Sequence, residues 1–87
     1  MPLNRFPSLP SIETVAVESS AIRDVTYDRQ RETLVLSFRD SSIHQYATVP
    51  LHVYEALLRA DSKGAYFNLY IRNHFPQRTV TRPDGLG

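Results

Sequence analysis

Leu34, Leu36 and Phe38 alternate with Val35 and Ser37, so apolar and polar positions follow each other with a period of two. That alternation predicts a half-buried strand over Thr33–Phe38, with the leucines and Phe38 facing inward. Ala21–Tyr27 reads as an earlier strand with Val25 and Tyr27 on one face, joined to the next through the polar stretch 28–32. After a second polar connection at 39–42, Ser42–Thr48 forms a third strand. His44 and Tyr46 share one of its faces, and Ile43, Gln45 and Ala47 share the other.

Beyond Pro50 the period lengthens to that of a helix. Proline suits a first helical turn, where its missing N–H costs nothing, and Val53, Tyr54, Leu57 and Leu58 then recur at helical spacing. Asp61 and Ser62 interrupt, with Ser62 placed to cap a second helix by accepting an orphan backbone N–H. Gly64–His74 continues at 100° steps, which cluster Tyr66, Phe67, Tyr70 and Ile71 on one broad face. Asn68 and Arg72 fall at i and i+4 on the opposite side, with Leu69 near that polar stripe.

Short connections favour antiparallel neighbours. The expected fold is therefore α+β, a three-stranded antiparallel sheet in the order β-β-β-α-α with both helices packed on one face. Leu34, Leu36, Phe38 and Tyr46 would meet the aromatic helical faces, leaving Val35, Ser37, Ile43, Gln45 and Ala47 on the open side of the sheet. Pro2, Pro7 and Pro10 argue for a flexible arm over 1–18, with extended structure at Thr14–Val17. Pro76 follows the last periodic residue, so 76–87 reads as a flexible tail and 19–75 as the domain.

Composition narrows the chemistry. At 87 residues and 41% hydrophobic, the chain has the make-up of one small globular domain. Without a cysteine it has no disulfide, thiolate metal site or cysteine nucleophile. No apolar run reaches the ~18–20 residues of a membrane span, and residues 1–11 lack the apolar core of a signal peptide. The cytoplasm is the expected location. No G-x-S-x-G elbow or G-x-x-x-x-G-K-[ST] loop occurs, and His44, His52 and His74 lack metal-ligand spacing. A thin two-layer domain also offers little room for a pocket of about 300 Å³. No enzyme activity, metal or cofactor is expected.

The formal net charge of +1 conceals an asymmetry. Residues 1–61 carry six arginines against eight acids, whereas 62–87 carry Lys63, Arg72, Arg78 and Arg82 against Asp84. A small domain shows such fluctuation by chance, but a basic end also suits an acidic partner. At Ser62-Lys63-Gly64, a serine cap, a solvated lysine and a glycine permitting close helix packing form a sufficient structural account. Its functional counterpart is an anion site at Ser62, Lys63 and Gly64. Tyr46 reads as core from its strand phase and, functionally, as a stacking surface beside His44.

An ordered set of short strings is similar to the KTSC domain family, named after a C-terminal extension of some lysyl-tRNA synthetases. The set comprises Ser19-Ser20-Ala21-Ile22, Val25-Thr26-Tyr27-Asp28, Leu34–Phe38, Val49-Pro50, Val53–Leu57, Ser62-Lys63-Gly64, Tyr66-Phe67-Asn68 and Ile71-Arg72. The family's central Y-x-Y keeps its second tyrosine at Tyr46 but has His44 at the first position. The resemblance implies a small bacterial or phage-type domain, alone or fused to a synthetase, with no established activity and a suggested link to RNA.

Residues and resemblance together point to weak nucleic-acid binding, with RNA or tRNA as partner. Lys63, Arg72, Arg78 and Arg82 are the expected phosphate contacts, Asn68 a sugar or base contact, and His44 and Tyr46 the aromatic surfaces. The alternative is a protein-interaction or assembly module, homodimeric or with another protein, through Val35, Ile43 and Leu69. No membrane partner is expected.

Overall fold

A computed structural model describes residues 11–79. Its sheet has five strands rather than three: β1 (Ile12–Ala16), β2 (Ile22–Asp28), β3 (Thr33–Phe38), β4 (Ile43–Tyr46) and β5 (Gln77–Thr79). They lie side by side in the order β1-β2-β3-β4-β5, every neighbouring pair antiparallel. Between β4 and β5 run α1 (Leu51–Arg59), the short α2 (Lys63–Tyr66) and a π-helical turn (Phe67–Ile71). The α+β class and the helix-covered antiparallel sheet agree with the sequence pattern.

The two additional strands fall in segments expected to be arm and tail. β1 pairs Ile12 with Asp28 and continues in register to Ala16 with Asp24. β5 pairs Tyr46 with Gln77 and His44 with Thr79. Neither has a strong apolar period, and all three residues of β5 are exposed. Backbone pairing places them, and side-chain pattern alone does not report it. Residues 1–10 and 80–87, including Arg82, lie outside the described residues.

One layer of core joins sheet and helices. Val25, Tyr27, Leu34, Leu36 and Tyr46 from the sheet meet Tyr54, Leu57, Phe67 and Ile71 from the helical segment. The strand phase is as the alternation predicts: Leu34 lies opposite Tyr46, and Leu36 opposite His44. Entry to β2 is fixed by Ser19, whose Oγ accepts from the backbone N–H groups of Ala21 and Ile22, both at 3.2 Å.

The expected helix over Gly64–His74 does not run through. The Arg72 N–H donates to the Phe67 carbonyl at 2.8 Å, an i→i+5 bond, and the segment ends at Ile71. A wider turn advances each residue by less than the α-helical step. Phe67 and Ile71 stay buried, while Tyr70 leaves the core face on which the 100° count put it and is 56% exposed. His74 therefore follows the helical segment rather than ending it, donating its backbone N–H to the Ile71 carbonyl at 3.0 Å. Asn73 adopts φ 67°, the left-handed conformation that redirects the chain toward β5.

Candidate recognition groove

Between the β3–β4 side of the sheet and the π-helical turn lies an open groove of about 510 Å³. This corrects the expectation that so thin a domain offers little room for a pocket of about 300 Å³. Its aromatic wall is continuous: Phe38 meets His44 at 5.1 Å and Phe67 at 5.4 Å between ring centres. Tyr46 meets Phe67 edge-on at 5.7 Å. Strand alternation puts His44 and Tyr46 on this side, and Phe67 reaches it from the helical layer.

The polar wall comes from the π-helical turn. Asn68 and Arg72 both line the groove, and Arg72 Nη1 donates to Asn68 Oδ1 at 3.4 Å. Gly64 lines it as well. Five residues singled out from sequence, His44, Tyr46, Gly64, Asn68 and Arg72, are thus brought together. Tyr46 contributes differently from a stacking platform. Its ring is packed into the core at 2% exposure, and burial raises the phenol's pKa, with the nearby Arg72 cation opposing. His44 is the half-buried ring of the pair.

Other candidates lie elsewhere. Ser62 Oγ accepts from the Ala65 N–H at 3.2 Å, the capping role, and Lys63 Nζ donates to the Ala60 carbonyl at 2.8 Å, closing the end of α1. A methyl group at Gly64 would meet Ala21 Cβ at 3.9 Å, an ordinary contact, so close packing does not require glycine there. Arg78 pairs with Gln45 in the strand phase opposite Tyr46, on the open face of the sheet. Val35 and Ile43 also lie in the phase of that open face, whereas Leu69, 63% exposed, belongs to the helical layer. These three do not form one patch.

The groove also contains residues not proposed as site residues from the sequence: Asp40, Ser42, Asn73, Phe75 and Gln77. Asn73 carried a usable signal, since asparagine just beyond an apolar helical run favours a left-handed exit. Phe75 and Gln77 carried none. They arrive because the Ala47 N–H donates to the Pro76 carbonyl at 2.9 Å and β5 then pairs with β4. Among the described residues, no cluster of three or more His, Asp or Glu side chains is arranged to hold a metal ion, and no helix is long and apolar enough to cross a membrane.

The profile of the KTSC domain matches residues 18–75. The chain belongs to the KTSC domain family. A crystal structure of a KTSC domain protein from Yersinia pestis superimposes with a TM-score of 0.77 at 30% identity, covering 80% of this chain and 99% of that one. An uncharacterized protein of Stutzerimonas stutzeri is 39% identical over 57 residues, which are 66% of this chain and 80% of that protein. The lysine–tRNA ligase of Nostoc sp. is 43% identical over 58 residues, or 67% of this chain but 10% of the ligase. A similar stretch of the Trichormus variabilis lysine–tRNA ligase is 40% identical over 58 residues, again 10% of that enzyme. The KTSC region is thus found both in small proteins and as a small part of lysine–tRNA ligases.

Proposed function

We propose that this KTSC domain is a non-catalytic cytoplasmic recognition module whose groove takes one nucleotide of single-stranded RNA, such as an unpaired segment of tRNA. The observation that carries the reading is the convergence of Asn68 and Arg72 with His44 and Tyr46 on one open groove of about 510 Å³. Single-stranded nucleic acid is held by aromatic surfaces for bases and cations for phosphate. His44 supplies an accessible ring, Arg72 the phosphate contact and Asn68 a hydrogen-bonding amide. The occurrence of the region in lysine–tRNA ligases supports tRNA as the RNA to try first.

Titration with labelled tRNA and a mixed single-stranded RNA, followed by amide chemical shifts at low and moderate salt, tests this reading. Shifts are expected at His44, Asn68, Arg72 and Gln77. Shifts confined to 80–87, or no binding at low salt, would refute it. A second reading, a protein-interaction or assembly module, draws on the neighbouring Leu69 and Tyr70, 63% and 56% exposed. Solution mass across a concentration series tests self-association, and Leu69→Glu is expected to abolish it without unfolding the domain.

A further inference from the structure

Among the described lining residues, the groove has one permanent cation, Arg72, and one carboxylate, Asp40. A carboxylate is out of place in a site for phosphate alone, because it repels the ligand and offers no donor. It fits a ligand that also brings a hydroxyl or N–H to donate.

Asp40 is built to accept. The Ser42 backbone N–H and hydroxyl both donate to the same oxygen, Oδ1, at 2.9 and 2.6 Å. These bonds hold the carboxyl below its ordinary pKa of 3.8, so it is an anion at neutral pH. Oδ2 makes no hydrogen bond among the described residues. The turn itself is closed by Ser41, at φ 78°, whose N–H donates to the Phe38 carbonyl at 3.0 Å. The carboxylate is therefore oriented by its neighbours while one oxygen stays free.

We infer that Asp40 accepts a hydrogen bond from the ribose 2′-hydroxyl of the nucleotide held in the groove, so that the domain distinguishes RNA from DNA. The inference rests on the nucleotide reading of the groove and adds the sugar to it. A carboxylate accepting from ribose hydroxyls is the chemistry of dinucleotide sites, and the 2′-hydroxyl is the group by which a protein separates the two nucleic acids. The mixed charge of the groove fits this division of labour: phosphate to Arg72, sugar to Asp40, base to the His44 ring.

Uridine oligomers test it cleanly, because uracil has no exocyclic amine to donate to a carboxylate. Anisotropy titrations of the full chain compare oligouridine, oligodeoxyuridine and 2′-O-methyl oligouridine of equal length. The ribo-oligomer is expected to bind about five- to tenfold more tightly than the other two, the net scale of one ordinary hydrogen bond, since Asp40 is solvent-exposed. Asp40→Ala should bring the ratio near one without weakening the deoxy-oligomer. Ser42→Ala, which keeps the carboxylate and its backbone N–H bond but removes the hydroxyl donor, should lower the ratio partway and guards against a collapsed turn in the first variant. Equal binding of the ribo- and deoxy-oligomers by the native chain overturns the sugar assignment while the groove reading stands. Binding of none of the three overturns both.

Discussion

Tyr54 carries two interactions at once. Its ring stacks on Tyr27 with centroids 4.5 Å apart, and its hydroxyl donates to Glu13 Oε2 at 2.6 Å. Glu13 stands on β1, where strand register sets it opposite Tyr27, and Arg29 approaches its other oxygen at 3.5 Å. The Tyr54 hydrogen bond, aided by Arg29, pulls the Glu13 carboxyl below its ordinary value of 4.5, while burial and the same bond push the Tyr54 phenol upward. A carboxyl whose folded pKa is depressed adds stability above its unfolded value, and loses it as pH falls through the folded value. Tyr54→Phe keeps the stack and removes the bond. The urea midpoints of native chain and variant are expected to differ most near neutral pH and to converge as pH drops below 4.5. A gap that stays constant across that range would count against the linkage. Glu13 was missed in the sequence because nothing near it in the chain marks a partner; Tyr54 is 41 residues away.

At the scale of elements, α2 and the π-helical turn behave as one short helical segment with a change of pitch. Ser62 caps it as its residue type predicts. Gly64, in contrast, is not demanded by packing, since the nearest atom to an added methyl is 3.9 Å away. Replacing a helical glycine with alanine where space allows stabilises by about 0.5–1 kcal/mol. Gly64→Ala is therefore expected to raise the urea midpoint by that equivalent, and a lowered midpoint would show that the groove wall cannot accept the methyl. The π-helical turn has the opposite lesson. Each of its residues is compatible with an α-helix, yet the wider turn keeps Phe67 and Ile71 in the core while Arg72 lines the groove.

For the whole molecule, charge distribution decides how nucleic acid can be held. Four described or expected cations acting together on a single strand would give a log–log salt slope of about −3, from roughly −0.7 per phosphate contact. Among the described residues the fold separates three of them. Lys63 is engaged with the Ala60 carbonyl and Arg78 lies on the opposite face of the sheet, which leaves Arg72 in the groove. For contact at the groove alone the expected slope is about −0.7, measured by RNA titration across a salt series, and Arg72→Ala should take it close to zero. A slope near the four-cation value would mean that the binding path follows the chain rather than the groove.

The sequence by itself determined the local features. Period-two alternation placed β2, β3 and β4 and put Leu34, Leu36 and Tyr46 inward, because a pleated strand must sort its side chains between two faces. Helical spacing placed α1, and the serine capped where serine caps. The tertiary structure decided what depends on distant partners: β1 and β5, which are placed by ladder hydrogen bonds that most residue types permit, and the pitch of the turn at Phe67–Ile71. The groove belongs to the second class. His44 and Arg72 are 28 positions apart and Asp40 and Gln77 are further still, so their meeting is a property of the packed layers, which no local pattern encodes.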